Sequence, residues 1–291
     1  MSDHLLRLLT NDGYLRAAAA QTTDLCEKLR SGHRTDPTAT VAVSQLATAA
    51  ALCSSLLKGR QRLGLLIEAN GPLGKLHAET DAAGNLRATV KNPTPGLPPK
   101  NERFDVAGAI GHAGFLHVIK DLGMKEPYRG MVQLMTSEIA QDLAYYFATS
   151  EQTPSSVVLG AQLAGNGAVA AAGGLLIQVL PGCPEGHLVQ LEQRLAVAPP
   201  FTEQLRSGKT PDVILGELFN FIPHTLHGET PLNLRCNCSR GYTLNLLGSL
   251  SSEELTELTQ DGGIATVTCE YCRKEYRFNR EDITQLMAQS H

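Results

Sequence analysis

Four of the seven cysteines in this 291-residue chain lie in two close pairs near its end. The pairs are Cys236-Asn237-Cys238 and Cys269-Glu270-Tyr271-Cys272, and residues 239–268 separate them. Four thiolates match the tetrahedral, soft-ligand preference of zinc, and a C-x-x-C hairpin turn is the usual geometry of a zinc knuckle. In an extended segment residues i and i+2 project to one face, so the C-x-C pair can reach the same ion. We therefore predict that Cys236, Cys238, Cys269 and Cys272 bind one zinc ion; two unrelated pairs of buried cysteines are the alternative.

The same cysteines could also do redox chemistry, because each pair can close on itself. A C-x-C disulfide closes a very small ring, so it should be strained and readily reversed. Cationic neighbours stabilise thiolates, the form that oxidants attack. Such cations could equally well only balance the negative charge of a zinc–thiolate centre, and spacing alone leaves both interpretations open. The cations concerned are Arg235, Arg240, Arg273 and Lys274.

The other cysteines, the histidines and the glycine-rich segment do not indicate a further functional site. Cys26, Cys53 and Cys183 are isolated in apolar surroundings and are predicted to be inert thiols. His224 and His227 could face one metal ion at i, i+3, but no third ligand is nearby. The glycines of residues 160–174 fit neither a dinucleotide-binding fingerprint nor a P-loop, and no G-x-S-x-G or H-E-x-x-H motif is present.

Composition and charge narrow the class of protein. The apolar fraction of 42% and the charged fraction of 19% are typical of a globular domain. The net charge of −4 gives no electrostatic attraction to nucleic acid or to an anionic membrane. Residues Thr38 to Leu57 carry no charge, but they are rich in Thr, Ser and Ala, so we expect a helix buried in a core. The first residues lack the pattern of a secretory signal, and with seven cysteines this predicts a cytoplasmic protein without a disulfide framework.

The elements that would position these residues predict an α+β protein in three parts. Residues 1–180 are predicted to form a core domain with an antiparallel sheet and packed helices. Residues 181–230 are predicted to be a helical linker, and residues 231–291 a small C-terminal zinc-binding domain. Such a short tail is marginal by itself, and structural zinc supplies roughly 10–16 kcal/mol of apparent folding free energy in zinc-finger peptides. Losing the metal should therefore unfold the tail.

Hydrophobic periodicity and turn residues predict the elements of each part. In the core domain we expect helices at Leu5–Ala18, Pro37–Leu57 and Ser137–Ala148, the last capped by Ser137. We expect an antiparallel meander of strands at 62–69, 75–80 and 86–90, and further strands at 115–121, 130–135, 157–164 and 168–180. In the tail we expect a capping box at Ser251–Glu254, a hairpin at Thr266–Asn279 and a last helix capped by Asn279. The linker is expected to pack six apolar residues against the core domain: Leu188, Leu191, Leu195, Val213, Leu218 and Phe219.

The chain resembles the 33-kDa heat-shock protein family, the redox-regulated holdase chaperones of bacterial type. The specific part of the resemblance is Cys236-Asn237-Cys238-Ser239-Arg240 with Cys269-Glu270-Tyr271-Cys272. Asp12-Gly13-Tyr14, Gly71-Pro72-Leu73-Gly74 and Gln178-Val179-Leu180-Pro181 are similar to segments of the family's core domain, so the resemblance covers essentially the whole chain. One departure is Gly241-Tyr242, where the family commonly has Glu and a basic residue after C-x-C-Ser-Arg; it bears on the tuning of the redox switch.

The resemblance implies a chaperone that is reduced, zinc-bound and inactive at rest, and no enzyme. Under oxidative stress two disulfides, Cys236–Cys238 and Cys269–Cys272, would form with release of zinc. The tail and linker would then unfold and bind unfolding client proteins, and the family's behaviour suggests a homodimer on activation. Neither nucleic acid nor membrane is expected as a partner. The rival hypotheses are a zinc-ribbon nucleic-acid-binding module and a dithiol oxidoreductase.

Overall fold

A computed structural model describes residues 2–100, 103–257 and 264–289. The chain divides into two compact units, Met1–Arg235 and Cys236–His291. The strands of the first unit are β1 (His4–Thr10), β2 (Leu15–Gln21), β3 (Arg62–Ala69), β4 (Lys75–Asp81), β5 (Asn85–Val90), β6 (Gly114–Asp121), β7 (Tyr128–Gln133), β8 (Ser155–Leu163), β9 (Val169–Val179), β10 (His224–Pro231) and β11 (Asn233–Leu234). Its helices are α1 (Thr23–His33), α2 (Pro37–Ser54), α3 (Val106–Ile110), α4 (Ile139–Ser150), α5 (Glu185–Val197), α6 (Phe201–Arg206) and α7 (Pro211–Leu218). The fold is α+β, as predicted.

The first unit contains two sheets. One has the order β10-β1-β2-β9-β8, and the other has the order β11-β5-β4-β3-β6-β7. The predicted meander of β3, β4 and β5 is confirmed as antiparallel. Its second turn forms because the Asp81 carboxylate accepts hydrogen bonds from the backbone N–H groups of Ala83 and Asn85. Gly84 between them has a positive φ of 79°, which favours glycine.

Helix α2 lies at the centre of the core between the two sheets. It packs against β4 and β5 on one side and against β8 and β9 on the other, and it is buried on all its faces. Asp36 caps it by accepting a hydrogen bond from the Ala39 N–H at 2.8 Å, and Pro37 occupies the first turn. The prediction of a buried core helix is confirmed. Within the described residues, no helix is both long enough and apolar enough to cross a membrane.

The predicted helix at Leu5–Ala18 is wrong, because this segment forms the antiparallel pair β1 and β2. The turn between the strands contains Gly13, whose φ is 79°, and the Thr10 hydroxyl donates to the Asp12 carboxylate. Strand β2 is buried on both faces of its sheet, so its alanines give an unbroken apolar run instead of an alternating pattern. Alanine's strong helix propensity made that run resemble a helix.

Two predicted details at other helices differ from the structure. Ser137 does not cap α4; it has a φ of 62° and donates its hydroxyl hydrogen bond to the Gly111 carbonyl at 2.5 Å. Glu138 occupies the N-cap position and α4 begins at Ile139. The last part of the predicted helical linker is also different, since residues His224–Pro231 form β10 on the free edge of β1.

The helices α5, α6 and α7 cover the outer face of the first sheet. Leu191, Leu218 and Phe219 are buried there, and Leu188 and Leu195 are partly buried, as predicted. Val213 is instead 40% exposed. In place of Val213, α7 buries Ile214, the next residue along the helix, together with Leu215 and Leu218. The apolar layer between helices and sheet, called the covered layer below, consists of Leu8, Leu15, Ala17, Ala19, Leu175, Ile177, Leu191, Phe201, Ile214, Leu215, Leu218, Phe219 and Ile222.

Asp3 is a buried carboxylate at the start of α1. It is 6% exposed, and it accepts hydrogen bonds from the backbone N–H groups of Asp24 at 3.2 Å and Leu25 at 2.6 Å. Burial raises the pKa of Asp3 to about 6, although these two hydrogen bonds act in the opposite direction. The folded protein therefore takes up the proton of Asp3 more readily than the unfolded chain does.

We expect Asp3 to make the first unit less stable as the pH rises from 4 to 7. Its pKa is higher in the folded state than in the unfolded state, so its contribution is complete below pH 3.8 and is lost as the pH passes about 6. The difference corresponds to about 3 kcal/mol of unfolding free energy. Urea unfolding of Asp3→Asn at pH 4.5 and pH 7 should lack this decline, whereas the control Asp121→Asn, at an exposed position away from Asp3, should keep it. An Asp3→Asn variant with the wild-type pH dependence would contradict the assignment.

The second unit is built from a hairpin and short helices: α8 (Arg240–Leu247), α9 (Ser252–Glu257), β12 (Ile264–Thr268), β13 (Glu275–Asn279) and α10 (Arg280–Gln289). The predicted capping box is confirmed, since Ser251 and Glu254 exchange side-chain and backbone hydrogen bonds. Asn279 caps the last helix by accepting from the Asp282 N–H at 2.9 Å. The core of the second unit is small. The buried apolar residues described in it are Leu247, Leu255, Ala265, Tyr276, Phe278 and Ile283.

Candidate metal centre

The second cysteine pair lies in the tight turn that joins β12 to β13. Cys269 donates its N–H to the Lys274 carbonyl, and the Arg273 N–H donates to the Cys269 carbonyl, both at 2.9 Å. Arg273 takes a left-handed φ of 60°, which lets the chain turn sharply after Cys272. The predicted hairpin with Cys269 and Cys272 in its turn is confirmed.

The first cysteine pair immediately precedes α8. Ser239 is the N-cap of that helix and accepts a hydrogen bond from the Tyr242 N–H at 3.1 Å. Cys236 and Cys238 therefore lie just before a helix N-terminus, outside any helix or strand. Gly241 and Tyr242 lie in the first turn of α8, and Tyr242 is 57% exposed, so the departure from the family pattern leaves the cysteines in place.

The four sulfur atoms of these pairs form one cluster. All four Sγ atoms lie within 4.8 Å of one another. The Sγ atoms of Cys236 and Cys269 are 3.6 Å apart, and those of Cys238 and Cys272 are 3.3 Å apart. Zinc–thiolate bonds of ~2.3 Å in a tetrahedron separate neighbouring sulfurs by about 3.8 Å. The cluster thus has nearly the dimensions of a tetrahedral thiolate site, and all four thiols are free.

Tyr276 makes the closest polar contact to the cluster from outside the cysteines. Its hydroxyl donates a hydrogen bond to Cys238 Sγ at 3.2 Å. Burial opposes ionisation of Cys238, but hydrogen bonds from Tyr276 and the neighbouring thiols outweigh it and lower the pKa of Cys238 to about 7. Burial raises the pKa of Cys236 and of Cys272, the latter to about 12. Of Cys236, Cys238 and Cys272, Cys238 is therefore the thiol that ionises most readily.

Two of the four cations near the cysteines, Arg240 and Lys274, lie against aromatic rings of the second unit. The Arg240 guanidinium binds the Asp282 carboxylate at 2.6 Å and lies 4.6 Å from the centre of the Phe278 ring. Lys274 Nζ lies 5.3 Å from the centre of the Tyr276 ring. Arg240 is thus engaged by a carboxylate, whereas the Tyr276 hydroxyl donates directly to a cysteine sulfur. Sequence reasoning missed this role of Tyr276, although its position two residues before the buried Phe278 in β13 placed it on the inner face.

We expect Tyr276→Phe to weaken metal binding about tenfold, because hydrogen bonds to metal ligands typically change affinity 10–100-fold. Competition with a chromophoric chelator would measure the affinity. Tyr242→Phe is the matched control, since it removes the same hydroxyl from an exposed position of this unit. Equal affinities for Tyr276→Phe and Tyr242→Phe would show that the hydrogen bond to Cys238 does not support the site.

The other candidate residues do not join a metal site in the described part of the chain. Burial raises the pKa of Cys26 to about 11 and that of Cys53 to about 12, so both thiols stay protonated. Burial also raises the pKa of the half-buried Cys183. His224 and His227 lie in β10, and the His224 ring contacts the Ile222 carbonyl at 2.9 Å. Across residues 2–100, 103–257 and 264–289, the cysteine cluster is the one group placed to hold a metal ion.

The chain matches one protein family over nearly its whole length. A family model described as Hsp33 protein matches residues 3–279. The chain is 53% identical over 288 residues to the 33 kDa chaperonin of Syntrophotalea carbinolica, covering 99% of this chain and 100% of that protein. It is 46% identical to the 33 kDa chaperonin of Geobacter sulfurreducens, covering 98% and 95%.

A solved structure agrees with these sequence matches. The crystal structure of the 33 kDa chaperonin from Thermotoga maritima, a heat shock protein 33 homologue, matches with a TM-score of 0.92. The match covers 98% of each chain at 30% sequence identity. The similarity therefore extends through both units of the fold, including the cysteine cluster's part of the chain.

Proposed function

The chain belongs to the Hsp33 family, and we propose from this premise that it is a redox-regulated chaperone that holds unfolding proteins. Its relatives are named chaperonins, which supports a chaperone and gives no indication of an enzyme. The observation that carries the redox proposal is the cluster of four free thiols with all Sγ atoms within 4.8 Å. We propose that the protein is cytoplasmic and that its partners are unfolded client proteins, with a homodimer forming on activation.

In the resting state, Cys236, Cys238, Cys269 and Cys272 would hold one zinc ion as thiolates. When bound, zinc stabilises the thiolate form and ties the two cysteine pairs together. The Tyr276 hydroxyl and the low pKa of Cys238 favour the thiolate form at neutral pH. The small core of the second unit makes its fold dependent on that cross-link.

Oxidation would convert the four thiolates to two disulfides, Cys236–Cys238 and Cys269–Cys272. One hydroperoxide molecule takes two electrons from each pair of thiolates: one sulfur–sulfur bond forms, the oxygen–oxygen bond breaks, and the two reduced oxygens take up two protons from solvent to leave as water and an alcohol, or as two waters from hydrogen peroxide. Two oxidant molecules are consumed per chain. The sulfurs then lack the charge that held the ion, so the second unit loses its main source of stability.

Unfolding would then spread to the segment that precedes Cys236. Strands β10 and β11 and helices α5 to α7 lie in that segment, and the helices cover the outer face of the first sheet. Their release would expose Leu8, Leu15, Leu175 and Ile177, which are at most 5% exposed in the folded protein. An exposed apolar face of this kind binds partly unfolded proteins with low sequence specificity.

The test combines zinc release with chaperone activity. Peroxide treatment of the reduced, zinc-loaded protein should release one zinc per chain and produce suppression of a client's aggregation, and a thiol reductant with zinc should reverse both. Cys183→Ser is the control, because it removes a half-buried thiol outside the cluster and should behave like the wild type. Zinc release without any gain of aggregation suppression would overturn the proposal.

The rival functions have less support. Residues 231–291 contain 6 Lys and Arg against 8 Asp and Glu, which disfavours binding to phosphates. A dithiol oxidoreductase expects its C-x-x-C motif at a thioredoxin-like βαβ unit, whereas Cys269 and Cys272 lie between two antiparallel strands. Turnover of a dithiol substrate by the wild type would favour the oxidoreductase.

A further inference from the structure

An apolar cavity lies where the helices α5, α6 and α7 meet the outer face of the first sheet. Its volume is about 340 Å³, within the range of small-molecule sites, ~300–1,000 Å³. The floor is formed by Val158 of β8 and Leu175 of β9. The walls come from the end of α5, the turn that follows it, and the facing sides of the other two helices: Leu195, Pro199, Phe201, Ile214 and Leu218.

The cavity is lined by apolar side chains in its deep part and has ionisable residues from two helices, α5 and α7. Phe201 and Ile214 are each 3% exposed, whereas Val197 at the mouth is 81% exposed. The ionisable residues that line the cavity are Arg194 of α5 and Glu217 of α7. This arrangement suits an amphiphile whose apolar tail fills the depth and whose polar end stays at the mouth.

The net charge at the mouth of the cavity is positive. The Glu217 carboxylate is paired with Lys209 Nζ, which neutralises it. Arg194 donates one N–H to the Glu217 backbone carbonyl at 3.3 Å, and its guanidinium lies 5.1 Å from the centre of the Phe221 ring. No ion pair joins Arg194 to a carboxylate in the part of the chain that the structure describes. A guanidinium carries five N–H donors, so Arg194 retains donors for an incoming carboxylate.

We propose that this cavity binds a monocarboxylate with a short aliphatic tail, such as a medium-chain fatty acid. The tail lies between Leu175, Ile214 and Leu218, and Arg194 binds the carboxylate. A ligand in this position contacts all three helices and the sheet at once. It therefore stabilises the arrangement in which the helices cover the sheet, by mass action on the folded form.

A regulatory consequence follows, and it rests on the proposed function. If release of α5 to α7 activates the chaperone, an occupied cavity delays activation without changing the chemistry at the cysteines. The site would then couple the availability of a fatty acid to the threshold of the oxidative response.

Isothermal titration of the reduced, zinc-loaded protein with decanoate, below its micelle concentration, tests the site. We expect saturable binding of one decanoate per chain, weaker binding of decanol, and still weaker binding of decyltrimethylammonium. Arg194→Gln should bind decanoate at least tenfold more weakly, because a charge-assisted hydrogen bond is lost. Arg206→Gln is the matched control, since Arg206 is an exposed arginine of α6 outside the cavity lining and should bind as the wild type does.

Non-saturable uptake, equal affinity for decanoate and decyltrimethylammonium, or equal loss in both variants would overturn the site. The three ligands compared on the wild type still test the site if Arg194→Gln fails to fold. Saturating decanoate should also slow the peroxide-induced gain of aggregation suppression several-fold while zinc release keeps its rate. Unchanged activation would overturn the regulatory part. If peroxide never activates the ligand-free protein, the proposed function is overturned. The binding isotherm would still show whether the cavity binds decanoate.

Discussion

Cys269→Ala is expected to reduce the zinc content from one ion per chain to nearly none and to unfold the second unit. Three cysteines cannot complete the closed tetrahedral site, and structural zinc is worth roughly 10–16 kcal/mol of apparent folding free energy in comparable small domains. The small described core around Phe278 and Tyr276 cannot replace a contribution of that size. Metal analysis and amide hydrogen exchange of the purified protein would measure both effects.

The exchange pattern distinguishes loss of this unit from general unfolding. Amides of β12 and β13 should lose their protection, whereas those of α2, buried between the two sheets, should keep theirs. Cys183→Ala is the control and should retain one zinc and the full protection pattern. A Cys269→Ala protein that still holds one zinc per chain would remove Cys269 from the ligand set.

Phe219→Ala is expected to suppress client aggregation without any oxidant. Phe219 is fully buried in the covered layer, where its ring lies 6.2 Å from that of Phe221. Removing a buried phenylalanine side chain typically costs about 3–5 kcal/mol. That loss acts on the helices that cover the first sheet, so the uncovered form should become populated while zinc stays bound. The measurement is aggregation suppression by the reduced protein, beside its zinc content.

The matched control for this variant is Val213→Ala. Val213 lies in α7, close to Phe219 in the chain, but it is 40% exposed and its truncation should change stability little. It should remain inactive until peroxide is added. A reduced Phe219→Ala protein that has lost several kcal/mol of stability and is still inactive would mean that uncovering this sheet face does not create the client-binding surface.

The clustering of the four cysteines was largely predictable from the sequence, because residue type and spacing indicate which side chains can reach one metal ion. Two close cysteine pairs and the turn that holds Cys269 and Cys272 followed from these alone. The hydrogen bond from Tyr276 to Cys238 could not be predicted, since it depends on how β13 is placed beside the other pair. The short sulfur contacts join residues of different pairs, and that also depends on the tertiary structure.

The fold was predictable where a strand has one apolar face and where polar residues form its turns. The meander of β3, β4 and β5 meets both conditions, because Leu86, Ala88 and Val90 alternate with polar residues. The prediction failed at β2, whose neighbours cover both faces, so no alternation exists to detect. It failed again at β10, a mostly exposed strand whose pairing is decided by the free edge of β1. The division into a core domain of 1–180, a linker of 181–230 and a tail of 231–291 stays a prediction.

The position of β1 in its sheet bears on the kind of contact that clients would make. Its backbone pairs with β2 along one side and with β10 along the other. If β10 leaves with the rest of its segment, alternate residues between His4 and Thr10 present a row of unpaired N–H and C=O groups along the freed edge of β1. A client could then add to the sheet as a new strand, recognised through its main chain, which every polypeptide shares. Recognition of this kind needs no consensus sequence, and it would act beside the apolar face in holding many different proteins.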